Sequence, residues 1–161
     1  MSNYSATVKW NRNGEDFLAN KYSRAHTWRF DGGVEVPASA SPQIVPLPWS
    51  REENVDPEEA FVAALSSCHM LFFLSIASEL GIEIDSYTDN AIGKMSKNEQ
   101  GKIAITRVTL TPQIEFSGNT IPDRVTVDSI HNQAHEQCFL ANSVNTKIDI
   151  ASWLPVTSHP L

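Results

Sequence analysis

Two cysteines, Cys68 and Cys138, are the side chains of this 161-residue chain best suited to covalent chemistry. Cys68 lies in the apolar stretch DPEEAFVAALSSCHMLFFLSIASELG, residues 56–81, and Cys138 lies in AHEQCFLANSV, residues 134–144. If both stretches are helices, the helices could meet with their sulfur atoms close together and form a redox pair. Free cysteine is also among the most buried residue types, so two inert core residues would show the same pattern. The cysteines alone favour neither interpretation.

Arg24 favours the reactive interpretation. Alternation in the segment YSRAHTWRF, residues 22–30, puts Arg24 and His26 on its mainly aromatic face, which we expect to point toward the core. An arginine that points inward is costly unless it is paired, and Glu58 or Glu59 could be the carboxylate that holds it. A guanidinium beside a thiol lowers the pKa of the thiol and favours the nucleophilic thiolate at neutral pH.

His131 and His135 are four residues apart in the second predicted helix, a spacing that metal ligands use. Only Cys138, Cys68 or His69 could complete such a site, and the sequence assures no third ligand. We therefore predict no metal and no bound cofactor, and we interpret the two histidines as solvated or as satisfied within the core.

A long helix must position Cys68. Asp56 is a good N-cap, Pro57 suits the first helical position, Glu59 completes a capping-box pattern, and Gly81 can end the helix. Apolar side chains surround it almost completely: Phe61, Val62, Leu65, Met70, Leu71, Phe72, Phe73, Leu74 and Ile76. A helix that is apolar on every side must be covered on every side. One domain of this size has difficulty doing so, and we therefore expect a homodimer.

This stretch is nearly long enough to span a membrane. It contains the polar residues Ser66, Ser67, His69 and Ser75, however, with acidic residues at both ends and no positively charged flank. We interpret it as a buried helix of a soluble protein.

Charge and cysteine usage limit the partners and the compartment. A net charge of −7 and a pI of about 5.1 argue against nucleic acid or an anionic membrane as a partner. The N-terminal residues show no signal-peptide pattern, which predicts a cytoplasmic location. In that reducing compartment a cysteine pair is more often redox-active or metal-binding than a structural disulfide.

Before the long helix, the sequence predicts three strands. The segments SATVKWN, residues 5–11, and YSRAHTWRF both alternate in the manner of strands. The pair Asp31-Gly32 then predicts a hairpin turn into the strand VEV.

After the long helix, two longer strands are predicted over residues 82–95 and 102–116. The apolar alternation of the second strand changes phase, which indicates a β-bulge near Thr106 and Arg107. A second helix begins at Pro122 and carries one apolar stripe, formed by Val127, Ile130, Ala134 and Cys138. A last strand covers residues 143–150. This order predicts a single α+β domain over residues 1–161, without a βαβ nucleotide-binding unit.

The segments VDPEEAFVAALSSCHML, TRVTLTPQIEF and AHEQCFLANSV resemble the OsmC/Ohr family, the osmotically inducible and organic hydroperoxide resistance proteins. The resemblance extends over about residues 5–150. It implies an OsmC-like fold, with two antiparallel sheets around two central helices, in an intertwined homodimer. It also implies a thiol peroxidase that reduces small organic hydroperoxides and is itself reduced by an external dithiol, such as a lipoyl group.

The resemblance also assigns roles to residues. Cys68 matches the peroxidatic cysteine, Cys138 the resolving cysteine, and Glu58 the glutamate at the start of the helix. Arg24 best matches the activating arginine of the family, and Arg51, in the loop before the helix, is the alternative. About 15 Å of straight helix separates Glu58 from Cys68. Glu58 would therefore act through a kink, through Arg24 as a bridge, or in the site of the partner subunit.

Two residues depart from the family pattern. Phe139 follows the second cysteine, where many members have proline, and His69 follows the first, where many have an aromatic residue. In the implied mechanism Arg24 stabilises a Cys68 thiolate, peroxide oxidises it to a sulfenic acid, and Cys138 closes a disulfide. An apolar lining would favour organic peroxides over hydrogen peroxide, and its candidates are Met70, Phe72, Phe73 and Phe139.

A different class of function remains open on these residues. The same dimer could be a non-enzymatic module that holds a hydrophobic ligand in its interface groove. Thiol reactivity separates the two hypotheses, because a binding module has no need of a reactive cysteine.

Overall fold

The structure of the chain, a computed structural model, describes residues 1–119, 121–151 and 154–155. The α+β class is confirmed. Within these residues the elements are β1 (Ala6–Lys9), β2 (His26–Phe30), β3 (Glu35–Ala38), α1 (Pro57–Glu79), β4 (Glu83–Asp89), β5 (Ile92–Lys97), β6 (Ile103–Leu110), β7 (Pro112–Ser117), α2 (Arg124–Gln137), β8 (Lys147–Ile150) and β9 (Leu154–Pro155). The chain forms two compact units, one over residues 1–60 and one that begins at Phe61. The single domain over residues 1–161 stays a prediction, and part of that range lies outside the described residues.

The first unit holds one antiparallel sheet, in the order β1-β2-β3. The predicted hairpin joins β2 to β3: the Gly33 N–H donates to the Phe30 carbonyl over 2.9 Å. Gly33 has a φ of 87°, which a residue without a Cβ adopts at no steric cost. β2 begins at His26, later than predicted, because the residues before it form turns in which Asn20 has a φ of 59°.

The predicted capping box starts α1. The Glu59 N–H donates to Asp56 Oδ1 over 2.8 Å, and the Asp56 N–H donates to Glu59 Oε2 over 3.2 Å. At the other end the Ile82 N–H donates to the Ala77 carbonyl over 2.9 Å, and Gly81 has a φ of 71°. This is a Schellman motif with glycine in the left-handed position, so both predicted ends of the helix are present.

One face of α1 is buried within the chain. The buried residues are Leu65, His69, Phe73, Ile76 and Ala77. The opposite face is exposed at Ala64, Ser67, Leu71, Ser75 and Ser78. The helix is long and apolar enough to cross a membrane by length and composition, and 28% of its apolar window is buried. A single chain therefore leaves one side of α1 uncovered. This agrees with the expectation that one domain of this size has difficulty covering so apolar a helix.

The second unit holds two three-stranded sheets, β4-β7-β9 and β5-β6-β8. The whole chain thus has three sheets in the described residues, where two were predicted, and β6–β8 and β7–β9 are parallel pairs. The reason is that each predicted long strand is broken into two. Asp89 stabilises the break, since its Oδ1 accepts the Thr111 N–H over 2.6 Å and its Oδ2 accepts the Ser66 hydroxyl over 2.5 Å.

The predicted β-bulge lies in the β5–β6 ladder. Lys94 pairs with Arg107 and Met95 pairs with Ile105, which leaves Thr106 as the extra residue. The phase change in the apolar alternation of this strand is therefore explained by a single inserted residue.

α2 begins two residues later than predicted, at Arg124, because Asp123 is its N-cap and accepts the Thr126 N–H over 2.8 Å. Its predicted apolar stripe is buried: Val127, Ile130, Ala134 and Cys138. A short 3-10 helix, Ala141–Ser143, follows α2 and delays the last predicted strand, so that β8 starts at Lys147. β9 was not predicted.

Two apolar clusters hold the second unit together. The larger joins the second half of α1 to α2, β4 and β7; its fully buried side chains include Phe73, Ile114, Val127 and Ile130. The smaller joins the first half of α1 to the β5-β6-β8 sheet through Leu65, Val108 and Leu110. α1 is thus held along its length, and Cys68 lies between the two clusters in sequence.

Candidate thiol site

The two cysteines meet where α1 and α2 come together in the second unit. Cys68 lies midway along α1, and Cys138 is the C-cap of α2. Both are free thiols, and the Cys138 S–H donates to Cys68 Sγ over 2.8 Å. The structure therefore brings together the two side chains for which the sequence predicted chemistry.

The two thiols differ in their surroundings. Cys138 is buried, while Cys68 is partly exposed. Burial and the hydrogen bond with Cys68 raise the pKa of the Cys138 thiol to about 11, although the Ala141 N–H that donates to its sulfur acts in the opposite direction. Cys138 is thus a protonated donor at neutral pH, and Cys68 is the acceptor that solvent can reach.

Aromatic residues lie beside this pair. The Phe72 and Phe139 rings pack edge to face with centroids 5.1 Å apart, and Phe139 is 71% exposed. Phe73, which we expected in the same apolar lining, is fully buried and packs on Tyr87 and His131. That expectation was wrong because Phe73 belongs to the core face of α1.

A second contact between α1 and α2 was not predicted. His69 Nε2 and His131 Nδ1 are 2.9 Å apart, and both side chains are almost completely buried. Burial lowers the pKa of each imidazole to about 4, and for His69 the nearby His131 and His135 add to the effect. His131 lies four residues after Val127 and seven before Cys138, so the apolar stripe of α2 held a signal for its burial.

His131 and His135, whose spacing suggested a metal site as an alternative, lie in different surroundings. His135 is exposed, whereas His131 is buried and bonded to His69. Within the described residues, no group of three or more histidine, cysteine, aspartate or glutamate side chains is arranged to hold a metal ion.

Arg24 lies in the first unit and is held by its own neighbours. Its Nη1 donates to the carbonyl oxygens of Tyr22 and Asn20, and its Nη2 donates to Asn20 Oδ1 over 2.5 Å. Its Cζ lies 3.7 Å from the centroid of the Tyr22 ring. Neither Glu58 nor Glu59 pairs with it, contrary to our expectation, because the turn at Asn20 supplies the acceptors.

The other two predicted site residues of the first unit are less constrained. Glu58 lies in the first turn of α1, and within the described residues its side chain has no hydrogen bond or ion pair. Arg51 is exposed, and its backbone N–H donates to Ser39 Oγ over 2.9 Å.

The first unit also contains a pocket of about 380 Å³ that sequence reasoning missed. Its lining consists of Val8, Trp10, Phe17, Tyr22, Arg24, His26, Ser39, Ala40 and Pro57. Three of these residues form an aromatic cluster, with the Tyr22 ring 4.7 Å from Phe17 and 5.4 Å from Trp10. The pocket combines an apolar wall with one guanidinium.

The described residues thus form an α+β fold in which two free thiols are in contact where two helices meet. The family model for OsmC-like proteins matches residues 50–152, and the chain therefore belongs to the OsmC-like family. No curated protein matches it in sequence.

Solved structures share the fold. An OsmC-like protein of unknown function from Vibrio cholerae is 55% identical, with a TM-score of 0.92 over 96% of this chain and 100% of that one. An organic hydroperoxide resistance protein from Elizabethkingia anophelis is 16% identical, with a TM-score of 0.65 over 96% of each chain. The organic hydroperoxide resistance protein OhrB of Bacillus subtilis is 20% identical, with a TM-score of 0.60 over 93% of this chain and 98% of that one.

Proposed function

We propose that this protein is a thiol-dependent peroxidase that reduces organic hydroperoxides. The observation that carries the proposal is the 2.8 Å contact between the free thiols of Cys68 and Cys138. Two thiols at this distance can close a disulfide with little movement of the backbone. Membership of the OsmC-like family, some of whose structural relatives are named organic hydroperoxide resistance proteins, directs the proposal to this substrate class.

The difference between the two thiols supports an assignment of roles. The Cys68 thiolate attacks the distal oxygen of the hydroperoxide, the O–O bond breaks, and the alkoxide takes up a proton and leaves as an alcohol. Cys68 is then a sulfenic acid. The Cys138 sulfur displaces its hydroxyl, which leaves as water when it takes up the Cys138 proton, and the disulfide forms. An external dithiol reduces that disulfide by exchange and returns both thiols.

Arg24 is the residue to which we assign activation of Cys68, with Arg51 as the alternative and Glu58 as the supporting carboxylate. Three of the five N–H donors of the Arg24 guanidinium bond to Asn20 and Tyr22. Two donors remain without a partner in the described residues. A guanidinium that is held in place and still has donors suits the stabilisation of a thiolate or of a developing alkoxide.

A homodimer is the assembly that we propose. The exposed face of α1 combines small residues with Leu71, which is 60% exposed, and such a face allows close approach of a second helix. Sedimentation at micromolar concentration should therefore give a dimer. A stable, folded monomer would contradict this proposal and leave the thiol chemistry unaffected.

The direct test is a steady-state assay with cumene hydroperoxide, in which dithiothreitol is compared with dihydrolipoamide as the reductant. We expect the protein to consume the hydroperoxide. Whichever of the two dithiols gives the faster turnover is the one that fits the site better. Cys68→Ser is the control for uncatalysed reduction, because a hydroxyl does not replace a thiolate at neutral pH. Equal rates for the protein and this variant would exclude a peroxidase.

The pocket of the first unit favours one alternative, a module that binds a hydrophobic ligand. A fluorescent fatty acid measures this directly. If Trp10→Ala and Phe17→Ala abolish binding of the probe, and the thiols do not consume peroxide, the binding module is the better account.

A further inference from the structure

Two contacts join α1 to α2 from adjacent positions on α1. Cys68 contacts Cys138, and His69, the next residue, contacts His131 about two turns earlier on α2. A protein that needs only a filled core at His69 and His131 would use apolar side chains there. The histidine pair therefore requires a physical explanation of its own.

The geometry of the pair is that of a directed hydrogen bond. The facing nitrogen atoms are 2.9 Å apart, the ring planes differ by 11°, and the ring centroids are 5.2 Å apart. Rings in this arrangement lie nearly end to end, and one facing nitrogen carries the hydrogen that the other accepts. The Phe73 ring, 4.4 Å from His131, helps to keep water away from the bond.

Burial of the histidine pair destabilises the folded state, because part of its hydrogen-bonding capacity is not used. His69 Nδ1 and His131 Nε2, the outer nitrogens, are buried and have no hydrogen-bond partner within the described residues. A buried polar atom without a partner is destabilising. The pair also fixes the position of α2 relative to α1. A hydrogen bond tolerates only a few tenths of an ångström in distance, whereas apolar contacts allow helices to slide.

We propose that the His69–His131 hydrogen bond is a positioning contact that fixes α2 against α1 and so holds the Cys138 sulfur within reach of Cys68. The proposal deepens the proposed function, since it would govern how fast a Cys68 sulfenic acid is resolved. It also applies to any oxidation of the two thiols. His69 and His131 are positioning residues and touch neither sulfur nor substrate.

The quantity to measure is the effective concentration of the two thiols. It is obtained from the equilibrium of the reduced protein and oxidised glutathione with the protein disulfide and two reduced glutathiones. This measurement needs no hydroperoxide. The thiol equilibrium and the peroxidase assay can therefore fail independently of each other.

Matched pairs of variants test whether the position of the hydrogen-bonding atom matters, as distinct from the burial and the polarity of the side chain. His69→Gln carries its amide near the place of the ring Nε2, and His69→Asn is one methylene shorter. His131→Asn carries its amide near the place of the ring Nδ1, and His131→Gln is one methylene longer. We expect His69→Gln and His131→Asn to stay within about threefold of the wild-type effective concentration, and the misplaced amides to fall tenfold or more.

A double variant, His69→Leu with His131→Leu, removes both the bond and the orphaned nitrogens. It should unfold at a temperature no lower than that of the wild type, because replacing both partners with apolar groups is nearly neutral. Its effective thiol concentration should nevertheless fall about tenfold. The control, His135→Leu, changes an exposed histidine of the same helix and should leave the equilibrium unchanged.

Two results would overturn the proposal. One is a folded double variant with the wild-type effective concentration. If the double variant does not fold, the amide pairs decide: equal values for His69→Gln and His69→Asn, and for His131→Asn and His131→Gln, would show that the position of the hydrogen bond has no influence on the thiols.

Discussion

The same two helices make two polar contacts that differ in almost every physical respect. The thiol contact joins a partly exposed residue to a buried one, between atoms that can exchange a hydrogen bond for a covalent bond. The histidine contact is buried on both sides and joins atoms that keep their bonds. Since the two contacts begin at neighbouring residues of α1, the difference is set by the helix face. Cys68 lies on a part of the helix that solvent can reach, and His69 lies within the core.

The two contacts therefore suit different roles, the thiol contact a reaction and the histidine contact the positioning of the helices. A reactive thiol needs access to solvent and gains from a hydrogen bond donated to its thiolate form, and the raised pKa of Cys138 keeps that residue protonated as the donor. A positioning contact needs the opposite, since water would compete for its hydrogen bond. The following predictions test this division.

The largest effect should come from Cys68→Ser. We expect peroxidase turnover to fall by a factor of about 1000 or more, because the hydroxyl is not ionised at neutral pH. The exposed Ser67→Ala, on the same helix, is the matched control and should keep turnover within about twofold. If Cys68→Ser retains a tenth of the activity in the assay with dithiothreitol, the thiol contact is not the reactive one.

The histidine contact should dominate a different property, the dependence of stability on pH. Burial lowers the pKa of His69 and His131 from the usual 6.5 to about 4, so the unfolded chain binds protons at a higher pH than the folded one. The free energy of unfolding should therefore decrease as the pH falls from 6.5 to 4, by an amount on the order of 3 kcal/mol for each histidine. The slope from the pair should vanish only about one pH unit above 6.5, where both histidines are neutral in the unfolded chain as well.

Urea unfolding at several values of pH between 4 and 7 measures this effect. The double variant His69→Leu with His131→Leu is the control, because it keeps all other titrating groups, including Asp128 and His135. Its free energy of unfolding should decline less steeply with acid than that of the wild type. Parallel curves for the two proteins would mean that the histidines are not buried in their neutral form.

Arg24→Ala should have an intermediate effect, confined to the first chemical step. We expect the rate at which Cys68 is oxidised by cumene hydroperoxide to fall about tenfold, because the guanidinium no longer stabilises the thiolate and the developing alkoxide. Stopped-flow oxidation under single-turnover conditions measures it. Arg51→Ala, made in parallel, identifies the alternative: if Arg51→Ala slows the reaction and Arg24→Ala does not, the activating role belongs to Arg51.

Phe139→Ala should have the smallest effect. Its ring is largely exposed and packs on Phe72 beside the thiols, so its loss should weaken the preference for cumene hydroperoxide over hydrogen peroxide by about fivefold. Reaction with hydrogen peroxide should be unchanged. A uniform loss with both peroxides would assign Phe139 to packing and leave the comparison of the two contacts intact.

Local chemistry made parts of the fold predictable. The capping box at Asp56 and Glu59, the glycine at the end of α1, the bulge at Thr106 and the buried stripe of α2 all depend on residues close in sequence. The pairing of Cys68 with Cys138 was predictable for a similar reason, since each lies on an apolar helix face and only two helices were expected.

Other features depend on contacts between distant residues. The break of the long strands is stabilised by hydrogen bonds that Asp89 accepts from Thr111 and Ser66, and no local sequence pattern predicts such hydrogen bonds. The histidine pair was missed because its two members are 62 residues apart, although the apolar stripe of α2 indicated that His131 is buried. Arg24 was assigned a carboxylate partner because alternation suggested a strand, whereas the turn at Asn20 holds its side chain instead.

The central claim, that Cys68 attacks and Cys138 resolves, is tested most directly by intact-protein mass spectrometry after one equivalent of cumene hydroperoxide. The account predicts that the wild type loses the mass of two hydrogens, that Cys138→Ser gains oxygen at Cys68, and that Cys68→Ser changes by neither. A wild-type protein that forms no disulfide between Cys68 and Cys138, together with identical behaviour of the two variants, would contradict it and leave both cysteines as core residues.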